Sequence, residues 1–205
     1  MDKETILENT AKFAEKTLAG EATGHDWWHV YRVNKLARTI CESENDADSF
    51  IVSLAALLHD IADHKFHNGD HTVGEKVSRD WLSNQDVDTE TIKEVLHCIS
   101  VCSYSNGLHP ESKEAEIVQD ADRLDALGAI GLARVFATGV HFGQIFYDPN
   151  QPKESQKTTT GHFYEKLFEL ETQMNTSTGK EIARERSAYL NDYLDRFYLE
   201  WEGEK

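Results

Sequence analysis

Proline, positive charge and long apolar runs are all scarce in this chain, and each shortage removes a class of protein. Three prolines and twelve glycines in 205 residues leave too few turn formers for a sandwich or barrel of short strands. Only 21 Lys and Arg stand against 37 Asp and Glu, a net charge of −16. No broad basic surface is therefore available for a nucleic-acid polymer or an anionic membrane. A small phosphorylated molecule remains admissible, provided that local cations receive it. No stretch approaches the roughly 20 apolar residues of a membrane span, and the charged start Met1-Asp2-Lys3-Glu4 lacks the apolar centre of a secretion signal. The three cysteines, Cys41, Cys98 and Cys102, are odd in number and form no disulfide framework. Cys98 and Cys102 have the i, i+4 spacing of one helix face, which suits a metal but more often marks small apolar filling. A reducing cytoplasm is the expected compartment.

What the chain does have is helical periodicity, with 39% hydrophobic content to build a core. Residues 5–18 repeat apolar groups at Ile6/Leu7, Thr10/Ala11, Phe13/Ala14 and Leu18. After Gly20 and Gly24, a second helix over 26–40 aligns Val33, Leu36 and Ile40, and at about 100° per residue His29 falls on that stripe, with His25 and Arg32 flanking it. A third helix, about 48–64, is apolar nearly all round and should be central. Shorter helices are expected over 72–83 and from Asp88 onward, the latter aligning Ile92, Val95 and Ile99. The segment 114–138 is long and rich in Ala and Gly, so neighbours can approach it closely. Residues 143–160 read as an extended polar loop. Two helices close the chain, about 161–174 and 179–201, with Asn175-Thr-Ser-Thr supplying an N-cap. Without a linker or repeat, the pattern predicts one all-α domain over 1–205.

Polar groups in apolar settings mark the chemistry. The run 50–58 ends in His59-Asp60, an imidazole and a carboxylate that are costly to bury unless paired or bound to a metal. Asp120, Asp122 and Asp125 crowd a segment of Ala, Leu, Ile and Gly; Asp120 is open to a solvent-strip reading, whereas Asp122 has little solvent face to occupy. His29 or His59 alone would be an ordinary hydrogen-bonded core histidine. Together, two inward histidines and two inward carboxylates on three helices make a metal site of His29, His59, Asp60 and Asp122. Mixed imidazole and carboxylate donors suit Mn²⁺, Fe²⁺, Co²⁺, Ni²⁺ or Zn²⁺ better than Mg²⁺ or Ca²⁺. Four protein ligands leave positions open for water and substrate.

These residues and their surroundings resemble a known family. His29, His59-Asp60 and Asp122, within Gly24-His-Asp-Trp-Trp-His-Val-Tyr-Arg-Val33, Leu57-Leu-His-Asp-Ile-Ala-Asp-His-Lys-Phe66 and Asp120-Ala-Asp-Arg-Leu-Asp-Ala-Leu-Gly128, are similar to the H…HD…D signature of HD-domain metal-dependent phosphohydrolases. The resemblance spans roughly residues 20–145 and implies a single-domain HD-type helical bundle with one divalent ion. Manganese is the first expectation, with nickel, cobalt, iron, zinc or magnesium as alternatives. The nearest likeness is to small bacterial members that split nucleoside triphosphates into monophosphate and pyrophosphate. His162-Phe-Tyr-Glu-Lys-Leu167 and the run 175–180 look like their C-terminal extension, about 160–205.

Asp63 and His64 stand where the family's guanosine-tetraphosphate hydrolases carry a Glu-Asp pair. One turn beyond Asp60, a carboxylate can orient or deprotonate a water and an imidazole can meet a phosphate oxygen, so both are candidate catalytic residues. Candidate substrate cations are Lys65, Arg32, Lys166 and Arg123. His97 lies off its helix's apolar stripe and reads as solvated. It and His109 are the only well-separated candidates for a second metal, while His67 and His71 sit in a polar loop. The alternatives are a 5′-nucleotidase or another phosphomonoesterase or phosphodiesterase of the same family, a di-iron oxygenase, and a non-catalytic nucleotide-binding module. Trp27, Trp28 and the aromatic C-terminus can supply a homodimer interface.

Overall fold

The computed structural model describes residues 1–20, 24–61, 72–102, 107–154 and 157–205. Among them every regular element is helical: α1 (Lys3–Thr17), α2 (Trp27–Ser43), α3 (Ser49–Leu58), α4 (Thr72–Asn84), α5 (Thr89–Cys102), α6 (Lys113–Asp125), α7 (Gly128–His141), a π-helical turn (Phe163–Leu167), α8 (Phe168–Thr172) and α9 (Ser177–Trp201). They fall into two compact units, Met1–Asp122 and Arg123–Lys205. No helix among the described residues is long and apolar enough to cross a membrane.

In the first unit α3 is central and packs against α1, α2 and α5. Its all-round apolar sequence explains this, because Phe50, Val52, Leu54, Ala55, Ala56, Leu57 and Leu58 are all buried. Each fully buried large aliphatic side chain there contributes about 1.5–3 kcal/mol. α2 starts where Asp26 accepts the His29 backbone N–H at 2.9 Å, an N-cap that offsets an orphan donor of the first turn. Its buried stripe is His29, Val30, Val33, Ala37, Ile40 and Cys41, with Leu36 at the margin rather than inside. Trp81 of α4 stacks on Phe13 of α1 at 4.1 Å between ring centroids and donates from Nε1 to Thr10 Oγ1. α6 is tied to α5 by Gln119, whose amide donates to the Val101 carbonyl at 2.7 Å.

Two boundaries differ from the sequence expectation, each for a local reason. α3 stops at Leu58 instead of continuing toward His64. The His59 ring takes the Ala56 carbonyl and the Ile61 N–H takes the Leu58 carbonyl, so the last carbonyls are satisfied by a tightened turn. The expected single segment 114–138 is two helices, broken at Ala126-Leu127. Gly128 follows with φ +70°, a conformation that costs other residues dearly. A Cβ on Gly131 would lie 2.1 Å from the Ala126 carbonyl oxygen. These glycines therefore serve a tight helix junction.

In the second unit the buried C-terminal end of α6 is closed by arginines. Arg134 donates to Asp125 Oδ2 at 2.6 Å and to its carbonyl at 3.4 Å, while Arg186 donates to the Leu124 carbonyl at 2.5 Å. Cations at a helix C-terminus meet the negative end of its dipole. Within the loop expected over 143–160, the described residues 143–154 and 157–160 form no regular element. Yet Thr158, Thr159 and Thr160 within it are buried, because Thr159 and Thr160 N–H groups pair with the Ile145 and Phe146 carbonyls. Thr176 caps α9 by accepting the Gly179 N–H. Because Asp125 is a fully buried partner of Arg134, Asp125→Ala should cost about 1.5–3 kcal/mol through loss of the charge-assisted hydrogen bond. Urea unfolding checks this, and an unchanged midpoint would show that the pair contributes nothing.

Candidate metal centre

The first unit brings the four sequence-nominated ligands to one place, from three helices. His29 occupies the first turn of α2, set by the Asp26 cap. His59 caps α3 and Asp60 follows it in the turn. Asp122 lies in the last turn of α6. His59 Nε2 is 3.2 Å from His29 Nε2, 3.5 Å from Asp60 Oδ2 and 3.8 Å from Asp122 Oδ1. His29 Nε2 is 3.3 Å from each of the same two oxygens. The imidazoles are sealed, with side chains 1% and 3% exposed, whereas Asp60 and Asp122 are 14% and 24% exposed. The cluster is thus closed on its nitrogen side and open along its carboxylate edge.

This donor set fits a divalent cation. The Ala56 carbonyl accepts from His59 Nδ1 at 2.9 Å, so in the neutral ring Nε2 presents a lone pair. That lone pair faces a second imidazole nitrogen and two acidic oxygens, an arrangement that is repulsive without a positive charge among them. Atoms about 2.1 Å from one ion, at angles of about 90–110°, lie about 3.0–3.4 Å apart, and the five separations above cluster around that range. His29, His59 and Asp122 form one group able to hold a metal, and His25, His29 and Asp60 a second that shares His29.

Electrostatics point the same way. Burial alone would raise the Asp60 carboxyl, but the charge of His59 and hydrogen bonds from His25 and His29 outweigh it and hold Asp60 well below the usual carboxylate range. For Asp122, burial and the Asp60 charge push upward, while the His29 hydrogen bond and the charges of His59 and His29 pull it lower overall. Both oxygens therefore stay anionic, as metal ligands must.

The remaining candidates divide. Asp63, His64 and Lys65, like His67 and His71, lie outside the described residues. Arg32 is half-buried on α2, and Lys166 is half-buried on the π-helical turn. Arg123 donates to the Gln173 carbonyl at 2.5 Å. Asp120 is fully buried, not a solvent strip, and Asp125 belongs to its pair with Arg134. His97 Nε2 accepts the Glu111 N–H at 3.3 Å, and His109 is exposed; among the described residues neither joins a metal-capable group. The three cysteines are buried free thiols, with burial raising Cys98 to about 12, and among the described residues none joins a metal-capable group. His25 is the residue that sequence periodicity underrated. Its Nδ1 lies 2.6 Å from Asp60 Oδ2, yet it precedes the Asp26 cap, so helical arithmetic does not apply to it.

A family model for the HD domain matches residues 27–127, the stretch that carries all four candidate ligands. The YpgQ protein of Bacillus subtilis is 38% identical over 193 residues, covering 91% of this chain and 89% of that protein. The chain belongs to the HD-domain family. Among solved structures, an HD-superfamily hydrolase from Bacillus thuringiensis superposes with a TM-score of 0.83 at 42% identity, covering 98% of this chain and 99% of that one. Bacillus subtilis YpgQ in complex with ADP superposes with a TM-score of 0.78 at 34% identity, covering 96% of this chain and 95% of that one. The HD chain is accordingly all-α in fold and a metal-dependent hydrolase in class.

Because the cluster should exist to be filled, adding Mn²⁺ to metal-free HD protein at about 100 times its dissociation constant should stabilise it by about 2.7 kcal/mol. Asp60→Ala or Asp122→Ala should remove that gain in a thermal-shift assay. An undiminished shift in either variant would exclude its carboxylate as a ligand.

Proposed function

We propose that the chain hydrolyses nucleoside triphosphates to monophosphate and pyrophosphate, with His29, His59, Asp60 and Asp122 holding one manganese ion. The observation that carries this reading is the cage itself: two sealed imidazoles and two carboxylates whose exposed edge is open to a substrate. The ADP complex of YpgQ, a relative over nearly the whole chain, supports a nucleotide as ligand. A divalent ion bound there supplies Lewis acidity toward a phosphoryl oxygen and makes a water acidic enough to attack near neutral pH. In a chain of net charge −16 it also supplies local positive charge for a polyanion to approach.

The protein's own groups do the rest. Asp60 and Asp122 stay ionised and fix the cage. Asp63, three residues past Asp60 in sequence, orients the attacking water and takes its proton. The water oxygen bonds to the α-phosphorus, the bond from that phosphorus to the bridging oxygen breaks, and pyrophosphate leaves with the electron pair. Lys65, then Arg32, balance charge on the phosphoryl oxygens, with His64 meeting a phosphate oxygen. One ion suffices in this scheme, because His97 is engaged with the Glu111 N–H. Trp28, exposed on α2, offers apolar surface for a homodimer.

A panel of deoxynucleoside and nucleoside triphosphates with Mn²⁺ tests the proposal. Pyrophosphate and monophosphate should appear in equal amounts, Asp63→Ala should slow turnover by about 10²–10⁴-fold, and Lys65→Ala should raise KM. Release of orthophosphate from a monophosphate panel would instead assign a 5′-nucleotidase.

A further inference from the structure

We infer that His25 is a positioning residue for the metal centre, donating from Nδ1–H to Asp60 Oδ2 and so aiming that oxygen at the space between His29 and His59. The inference rests on the reading that His29, His59, Asp60 and Asp122 hold a divalent ion. Three observations carry it. The first is the contact distance of 2.6 Å, short even for a charge-assisted hydrogen bond and shorter than the roughly 3 Å separation of two atoms sharing one ion. An ionised carboxylate only accepts, which places the proton on His25 Nδ1 and makes His25 a donor to a ligand instead of a ligand.

The second is that the same oxygen lies 3.3 Å from His29 Nε2 and 3.5 Å from His59 Nε2. The oxygen that His25 meets is thus the same one that faces the two inner imidazoles. The His25 and His29 rings also meet edge to face, with centroids 5.4 Å apart.

The third is that neither end of the contact is held by a helix. Asp60 follows the C-cap of α3, and His25 precedes the N-cap of α2. Gly24, immediately before His25, adopts φ +95°, a conformation that side chains rarely accept. The contact therefore locks two irregular turns to each other. It supplies the orientation that the end of α3 alone does not provide for Asp60, in the manner of outer-shell partners that aim metal ligands.

Calorimetric titration of Mn²⁺ into metal-free wild type, His25→Ala, His25→Asn and His25→Gln tests this without any substrate. The Asn amide nitrogen falls where Nδ1 lies, whereas the Gln amide nitrogen falls nearer Nε2. His25→Ala and His25→Gln should bind about 10–100-fold more weakly, and His25→Asn should stay within about threefold of wild type. An Ala variant that binds like wild type overturns the positioning role alone. An Asn variant as weak as Ala also overturns it, because a donor at Nδ1 would then not suffice. Should His25→Ala lose its helical circular dichroism, the Asn and Gln comparison decides by itself. Failure of the wild type to bind Mn²⁺ overturns the metal reading and this inference with it.

Discussion

Two imidazole nitrogens and two carboxylate oxygens converge at 3.2–3.8 Å, and holding these four donors together is the constraint around which the first unit is built. The most apolar helix of the chain, α3, ends where it must deliver His59 and Asp60. The Asp26 cap starts α2 so that His29 faces inward. α6 runs until Asp122 reaches the cluster. Each helix is set by ordinary packing and capping, yet α2 and α6 each place one donor and the end of α3 places two. An interior that excludes water magnifies the repulsion among these groups and equally the attraction of an ion placed between them.

Overall charge and local site have opposite demands. A chain of net charge −16 repels a triphosphate at long range, although screening limits that field to about 8–10 Å at physiological salt. Inside that distance, in the function proposed above, a divalent ion and a few cations would decide the encounter. The partly exposed Asp60 and Asp122 edge is where the field can reverse sign. The sealed histidine side keeps the ion from being hydrated on every face.

Much of this was legible in the sequence because it follows from periodicity. His29 on the stripe with Val33 and Ile40, the all-round apolar run before His59, and the crowding of Asp122 among Ala and Leu all announce inward polar groups. What periodicity could not show lies where helices stop. His25 sits before an N-cap, so its partner Asp60 is a matter of turn geometry. The end of α3 at Leu58 depends on a side-chain cap from His59 itself, and the break at Ala126-Leu127 on a left-handed Gly128. The burial of Asp120 and of Thr158–Thr160 likewise comes from tertiary partners that no local pattern encodes.

The most direct test of the central claim is anomalous diffraction at the manganese edge from crystals of the Mn²⁺-loaded chain. The account predicts one strong peak about 2.0–2.3 Å from His29 Nε2, His59 Nε2, Asp60 Oδ2 and Asp122 Oδ1, with His25 Nδ1 still on Asp60. A peak elsewhere, or a second ion drawing on His97 or His109, would contradict it.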